Sequence, residues 1–141
     1  NLGTVTGKRE AGGIVGGLKG KVQNTYNLGI INSSETSGGV VGQLNANPII
    51  QNSYNTGTVS STSGGVVGIV YQTTTYSLEN NYYLKESASY GIGSLKSDTN
   101  ASSLDKDKMP SVLSVINGDD AFMEDTTNIN NGYPILKWQL K

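Results

Sequence analysis

Gly12-Gly13-Ile14-Val15-Gly16 returns as Gly38-Gly39-Val40-Val41-Gly42 and again as Gly64-Gly65-Val66-Val67-Gly68, 26 residues apart each time. A second word, an aliphatic residue followed by x-Asn-x-Tyr, lies between the copies. It reads Val22 to Tyr26, Ile50 to Tyr54 and Leu78 to Tyr82, at a spacing of 28. A third, Asn-x-Gly-x-(Val/Ile), runs from Asn27 to Ile31 and from Asn55 to Val59, and the chain opens on it at Asn1 to Val5. Self-similarity at a fixed period of this length marks a stacked-repeat architecture.

Each repeat holds three short β-type stretches separated by Gly, Ser, Asn and Thr. In one, alternation puts Ile14, Gly16 and Leu18 on a face; in another, Val22, Asn24 and Tyr26. Three strands per repeat is the layout of a β-solenoid coil. The expected fold is therefore all-β: a β-helix-like solenoid of three 26–28-residue coils over residues 1–82, followed by a small mixed α/β C-terminal cap over 83–141. A helix is disfavoured, since glycine costs about 1 kcal/mol per residue relative to alanine. A β-sandwich is the runner-up, but it needs no fixed period. The run from each Gly-Gly pair to the next Asn-x-Tyr asparagine grows from 12 to 14 to 16 residues, and the run from Asn-x-Gly to Gly-Gly also varies. Insertions at two places, with intact words between, predict loops at coil corners. The glycines are read as structural, giving positive φ and removing side chains from a crowded interior. A phosphate loop would need a following Gly-Lys-Ser/Thr and a helix.

Charge divides the chain. Residues 1–78 carry only Lys8, Arg9, Glu10, Lys19, Lys21 and Glu35, whereas 79–141 carry the other nine acids and six bases. In the second part, Gly91 to Asn100 reads as a loop, Ser103 as a helix N-cap, and Pro110 as the start of a helix with Val112, Leu113, Val115 and Ile116 on its apolar side. Tyr133 to Trp138 reads as a terminal strand. Helix and strand together would cover the open coil end, burying Trp138 near Tyr82 or Val70.

The 141 residues include no cysteine and no histidine, with a formal charge of −1. That excludes thiolate nucleophiles, Ser-His-Asp triads and zinc sites on His or Cys, and it offers no electrostatic footprint for nucleic acid. No apolar run approaches the roughly 20 residues needed to span a bilayer. Asn24, Asn52 and Asn80 are expected to form a ladder along the stack, with a polar binding face as the alternative. Tyr26, Tyr54 and Tyr82 are expected to form a stacked aromatic column. On an open surface that column would be a sugar platform, so the three are the candidate ligand-binding residues. No catalytic, cofactor or metal residues are assigned. Asn117, Asp119 and Asp120 are a weak Ca²⁺ pattern. Asp119-Asp120 and Glu124-Asp125 read as solvated turns. The broken Thr4/Ile30/Thr58 rank argues against ice binding.

Asn27-Leu28-Gly29-Ile30-Ile31 followed by Gly38-Gly39-Val40-Val41-Gly42-Gln43-Leu44, and the unit starting at Asn55, resemble bacterial GLUG-motif repeats. The closing Asn130 to Gln139 resembles the end of such arrays. The third unit departs slightly, with its Gly-Gly arriving two residues early and Val70 in place of Leu18 and Leu44. The resemblance implies a bacterial extracellular or cell-surface protein, as in adhesin-like proteins and immunoglobulin A peptidases, and carries no catalytic residues. It points to a non-catalytic structural or adhesive module. The alternative is a carbohydrate-binding or polysaccharide-acting β-helix. Expected partners are upstream repeats of the same protein, since the chain opens inside a repeat word, and a host protein or glycan. Nucleic acid and membrane insertion are not expected, nor is any cofactor.

Overall fold

The computed structural model describes residues 1–60 and 63–140. The chain is mostly β, in short, open sheets, with one short α-helix. The first unit contains β1 (Val5–Gly7), β2 (Ala11–Gly12), β3 (Val15–Leu18) and β4 (Lys21–Asn27). The second contains β5 (Ile31–Ser33), β6 (Ser37–Gly38), β7 (Val41–Leu44) and β8 (Ile49–Asn55). The third contains a bridge at Val59, then β9 (Ser63–Gly64), β10 (Val67–Val70) and β11 (Ser77–Leu84). Each strand pairs in parallel with its copy in the next unit. Val15, Val41 and Val67 are aligned partners, as are Val22, Ile50 and Leu78, and Tyr26, Tyr54 and Tyr82.

These columns put like residues over like. Val40, Val41, Leu44, Ile50, Val66 and Val67 are fully buried in one apolar cluster. Each such side chain contributes about 1.5–3 kcal/mol on removal from water. Length variation is absorbed between the third and fourth strands of each unit, at 19–20, 45–48 and 71–76, as expected of corner loops. The other expected loop falls partly on Ser61 and Thr62, outside the described residues.

The structure differs from the expected strand layout at the Gly-Gly words. They do not lie within one strand with Ile14, Gly16 and Leu18 on a face; they bend the chain between β2 and β3 and between their copies. A Cβ on Gly38 would sit 1.9 Å from the Val41 carbonyl oxygen, and one on Gly39 would sit 2.1 Å from that of Gly65. The glycines are needed for this approach rather than for positive φ, which among the described glycines occurs only at Gly132. Within the repeat words the left-handed residues are instead Asn24, Asn52 and Asn80, with φ of 53°, 50° and 54°. Each interrupts its strand in mid-course, so two-residue alternation fails across it. Val22 and Ile50 thus join the cluster between the sheets, while Tyr26 and Tyr54 join a second cluster on the other side. The expected common face for Val22, Asn24 and Tyr26 does not form.

Strand pairing also runs on past residue 83. Val66 and Val67 donate to the Gly91 carbonyl, Ile92 bridges Val67 in parallel, and β12 (Ala101–Leu104) adds a fourth strand beside β11. The stretch expected to be a loop followed by a helix N-cap at Ser103 is therefore an incomplete fourth unit. The free donors and acceptors along β10 and β11 satisfy its backbone.

A 3₁₀ turn then covers Met109–Val112 and leads into α1 (Leu113–Ile116), as Pro110 predicts. Val112 and Ile116 are buried, but Val115 faces outward. Next, β13 (Phe122–Met123) pairs antiparallel with β14 (Ile135–Leu136), which is shorter than the expected terminal strand. These elements lie along the side of the stack, with Met109, Ile116 and Phe122 packed in one cluster with Tyr26, Tyr54 and Leu84. Trp138 is 66 % exposed, contrary to expectation. It sits in a closing 3₁₀ turn that directs Gln139 instead towards the stack, where the Tyr26 hydroxyl donates to it.

The glycine requirement is testable by thermal melts. Gly39→Ala should lose about 1–3 kcal/mol or more through overpacking, whereas Gly20→Ala, whose Cβ meets nothing within 4 Å, should be near neutral.

Candidate functional site

The polar residues of the repeat words are bonded to their own copies. Asn1 Nδ2 donates to Asn27 Oδ1 at 2.9 Å, and Asn27 Nδ2 donates to Asn55 Oδ1 at 2.8 Å. Asn27 Oδ1 also accepts from the Gly29 N–H, and Asn55 Oδ1 from the Gly57 N–H. Their Nδ2 groups reach the carbonyls of the same two glycines. Asn27 and Asn55 are fully buried, so these bonds are what make an interior amide tolerable. The Asn-x-Gly word is thus a side-chain-closed turn that also clamps the unit beside it. A Cβ on Gly57 would lie 2.0 Å from the Gly29 carbonyl oxygen, which explains the glycine. Sequence reasoning identified the word but not this inner ladder.

The expected outer ladder is present. Asn80 Nδ2 donates to Asn52 Oδ1 and Asn52 Nδ2 to Asn24 Oδ1, at 3.0 and 3.3 Å. Asn24 Nδ2 then donates to Asp119 Oδ2 at 3.1 Å, tying the ladder to the C-terminal segment.

Of the candidate ligand residues, Tyr26 and Tyr54 stack with ring centroids 5.1 Å apart and planes 4° from parallel. Tyr82 is aligned with Tyr54 and half-buried. The column meets the chain's own C-terminal segment. Tyr54 has no exposed surface; its hydroxyl donates to the Pro134 carbonyl and accepts from Asn130 Nδ2, and Phe122 packs at its ring. Burial, reinforced by Tyr26, pushes the Tyr54 hydroxyl far above its ordinary pKa. Tyr83 occupies the rung that Asn27 and Asn55 hold in earlier units, and its ring takes the space beside Gly65. Burial, then its bond to Asp98 and that carboxylate's charge, raise its pKa to about 12.

The acidic residues are dispersed. Glu35 faces Arg9 at 3.8 Å on the surface. Asp119 bonds Asn24, Asp120 pairs with Lys137, and Asn117 Oδ1 accepts from the Phe122 N–H. These three are thus engaged separately, and among the described residues no group of three or more His, Cys, Asp or Glu could hold a metal. Asp125 closes the turn that follows it. Its carboxylate accepts from the N–H groups of Ile129, Asn130 and Gly132. Burial pushes its pKa up, but these bonds outweigh that and hold it below the ordinary value.

A cleft of about 760 Å³ opens where Leu28, Thr56 and Thr58 of the repeat corners face Lys106, Pro110 and Tyr133 of the C-terminal segment. Glu86, Ser87 and Asp107 also line it. Sequence reasoning missed it because its walls come from segments distant in the chain.

Residues 33–60 match the family model of the GLUG motif. They run from the end of β5 to just past the Val59 bridge, and so take in the second Gly-Gly word and the second Asn-x-Tyr word. No curated protein and no solved structure gave a significant match to the chain.

Asn55→Ala should cost roughly 1–3 kcal/mol in a denaturant melt, because Asn27 Nδ2 loses its acceptor in the interior. An alkaline titration probes the tyrosines. Folding raises the Tyr83 pKa from its ordinary 10.0 to about 12. Between those values the unfolded chain holds fewer protons than the folded one, so stability should fall as pH rises. Melting temperature should be insensitive to this group below the unfolded value and decline through that window. Tyr83→Phe should flatten the decline, as read alongside tyrosinate absorbance.

Proposed function

We propose that the chain is a non-catalytic structural or adhesive module of a bacterial cell-surface or secreted protein. In this reading the stacked units are the coils of a β-solenoid, continuing through β12, and the residues from 105 onward brace its side. The observation that carries it is the fate of the repeated polar residues. The asparagines and the first two tyrosines bond or stack with their copies, and both asparagine words are consumed in holding one unit to the next. Repetition of this kind builds length and rigidity.

Further repeat units are proposed partners. β1, β2, β3 and β4 are edge strands of their sheets, and their outer donors and acceptors can be met by another coil. The GLUG motif supports the repeat reading, and the resemblance to surface proteins supplies the proposed location. A second reading, carbohydrate binding or processing, is favoured by the cleft, which places Glu86 and Asp107 among hydroxyl-bearing residues.

The purified chain should release no product from a panel of polysaccharides and peptides. Turnover abolished by Glu35→Gln, Glu86→Gln or the Asp119→Asn, Asp120→Asn pair would overturn the non-catalytic reading.

A further inference from the structure

We infer that the cleft between the repeat corners and the C-terminal segment binds a neutral saccharide. The inference rests on the adhesive half of the reading above and names the class of ligand. Its first support is unmet hydrogen bonding. Tyr133 and Ser87 line the cleft, and they are only 6 % and 8 % exposed. Among the described residues neither hydroxyl has a hydrogen-bond partner, and Tyr133 feels only its burial and the nearby Glu86 carboxylate. Thr56, in the same wall, carries a buried Oγ1 that is also without a partner. The Ser87 and Tyr133 hydroxyls, unpartnered among the described residues, lie on one cavity beside the buried, unpartnered Thr56 Oγ1, which marks a place where an outside donor or acceptor fits.

The second support is the chemistry of the walls. Leu28, Leu84 and Pro110 supply apolar surface beside these hydroxyls and the Glu86 carboxylate. A pyranose presents the matching pattern, with C–H faces for the apolar wall and adjacent hydroxyls that both donate and accept. The carboxylate can accept two sugar O–H groups, and a tyrosine or serine hydroxyl can bond in either direction. The volume lies within the ~300–1,000 Å³ typical of small-molecule sites. Charge selects against other ligands. Glu86 and Asp107 outweigh Lys106, which disfavours phosphates, nucleotides and acidic sugars.

The test is amide-resolved NMR of the whole chain with methyl glycosides of glucose, galactose and N-acetylglucosamine. Sialic acid is the anionic control and glycerol the polyol control. At least one neutral glycoside should shift the amides of Ser87, Gly132 and Tyr133, while both controls leave them in place. Tyr133→Phe should weaken that binding roughly three- to tenfold, the effect of one lost hydrogen bond. Its melting temperature should not change, because the hydroxyl bonds nothing among the described residues. Glu86→Gln, at an exposed position, should weaken binding as well and guards against misfolding of the first variant. Silence of the cleft amides with every glycoside would overturn the inference, as would shifts unchanged in both variants or equal binding of sialic acid. That result, with a normal melt, would leave the scaffold reading standing. Hydrolysis of a glycoside during the titration would overturn the non-catalytic reading instead.

Discussion

Successive units approach so closely at their corners that there is no room for a side chain. A Cβ on Gly39 would meet the Gly65 carbonyl oxygen at 2.1 Å, and one on Gly57 would meet that of Gly29 at 2.0 Å. The rest of the stack depends on this approach. It brings each Asn-x-Gly asparagine within 2.8 to 2.9 Å of its copy, so that the amides satisfy one another inside the protein. It also keeps the valine and leucine columns in contact along the axis. An interior with buried amides at every corner is stable only while every amide is partnered, and equal spacing of the units achieves that.

A second constraint acts within each unit. The left-handed asparagine at positions 24, 52 and 80 reverses the alternation of its strand. One side of the sheet then feeds the inner apolar cluster through Val22 and Ile50, and the other presents Tyr26 and Tyr54 outward. An outward tyrosine column needs a cover. Residues 105–140 provide one, joined to it through Gln139, Pro134, Asn130 and Asp119. Because that cover touches the first unit as well as the fourth, it ties together parts of the stack that pair only with their neighbours. The proposed saccharide cleft lies along one margin of this seam. There the cover and the repeat corners part enough to leave hydroxyls unmatched.

Much of this was legible in the chain itself, and the misreadings are informative. The Gly-Gly and Asn-x-Tyr words predicted parallel stacking in register, and the pairings follow the 26- and 28-residue spacings. The words give no warning of the face reversal, because the letters Asn-x-Tyr are the same whether the asparagine has negative or positive φ, and only negative φ preserves the alternation. In sequence the fourth unit reads as loop and helix start, since Gly91-Ile92-Gly93 and Ala101 to Leu104 share no word with the earlier units. Their β pairing is imposed by the free edges of β10 and β11. Trp138 is expected to be buried as the cover of an open coil end, yet it stays exposed in a closing 3₁₀ turn whose Gln139 accepts from Tyr26.

The sequence by itself determined the repeat, the mostly β character, the glycine corners and the identity of the ladder and column residues. These follow from local chemistry recurring at a fixed period, which any chain carrying the words must express. Only the tertiary structure decided which way the tyrosines face, that residues 105–140 pack along the side of the stack, and that Thr56, Ser87 and Tyr133 share one cleft. Those outcomes depend on contacts between residues up to 113 positions apart, as between Tyr26 and Gln139. No periodicity encodes them, because a contact made once leaves no pattern to repeat.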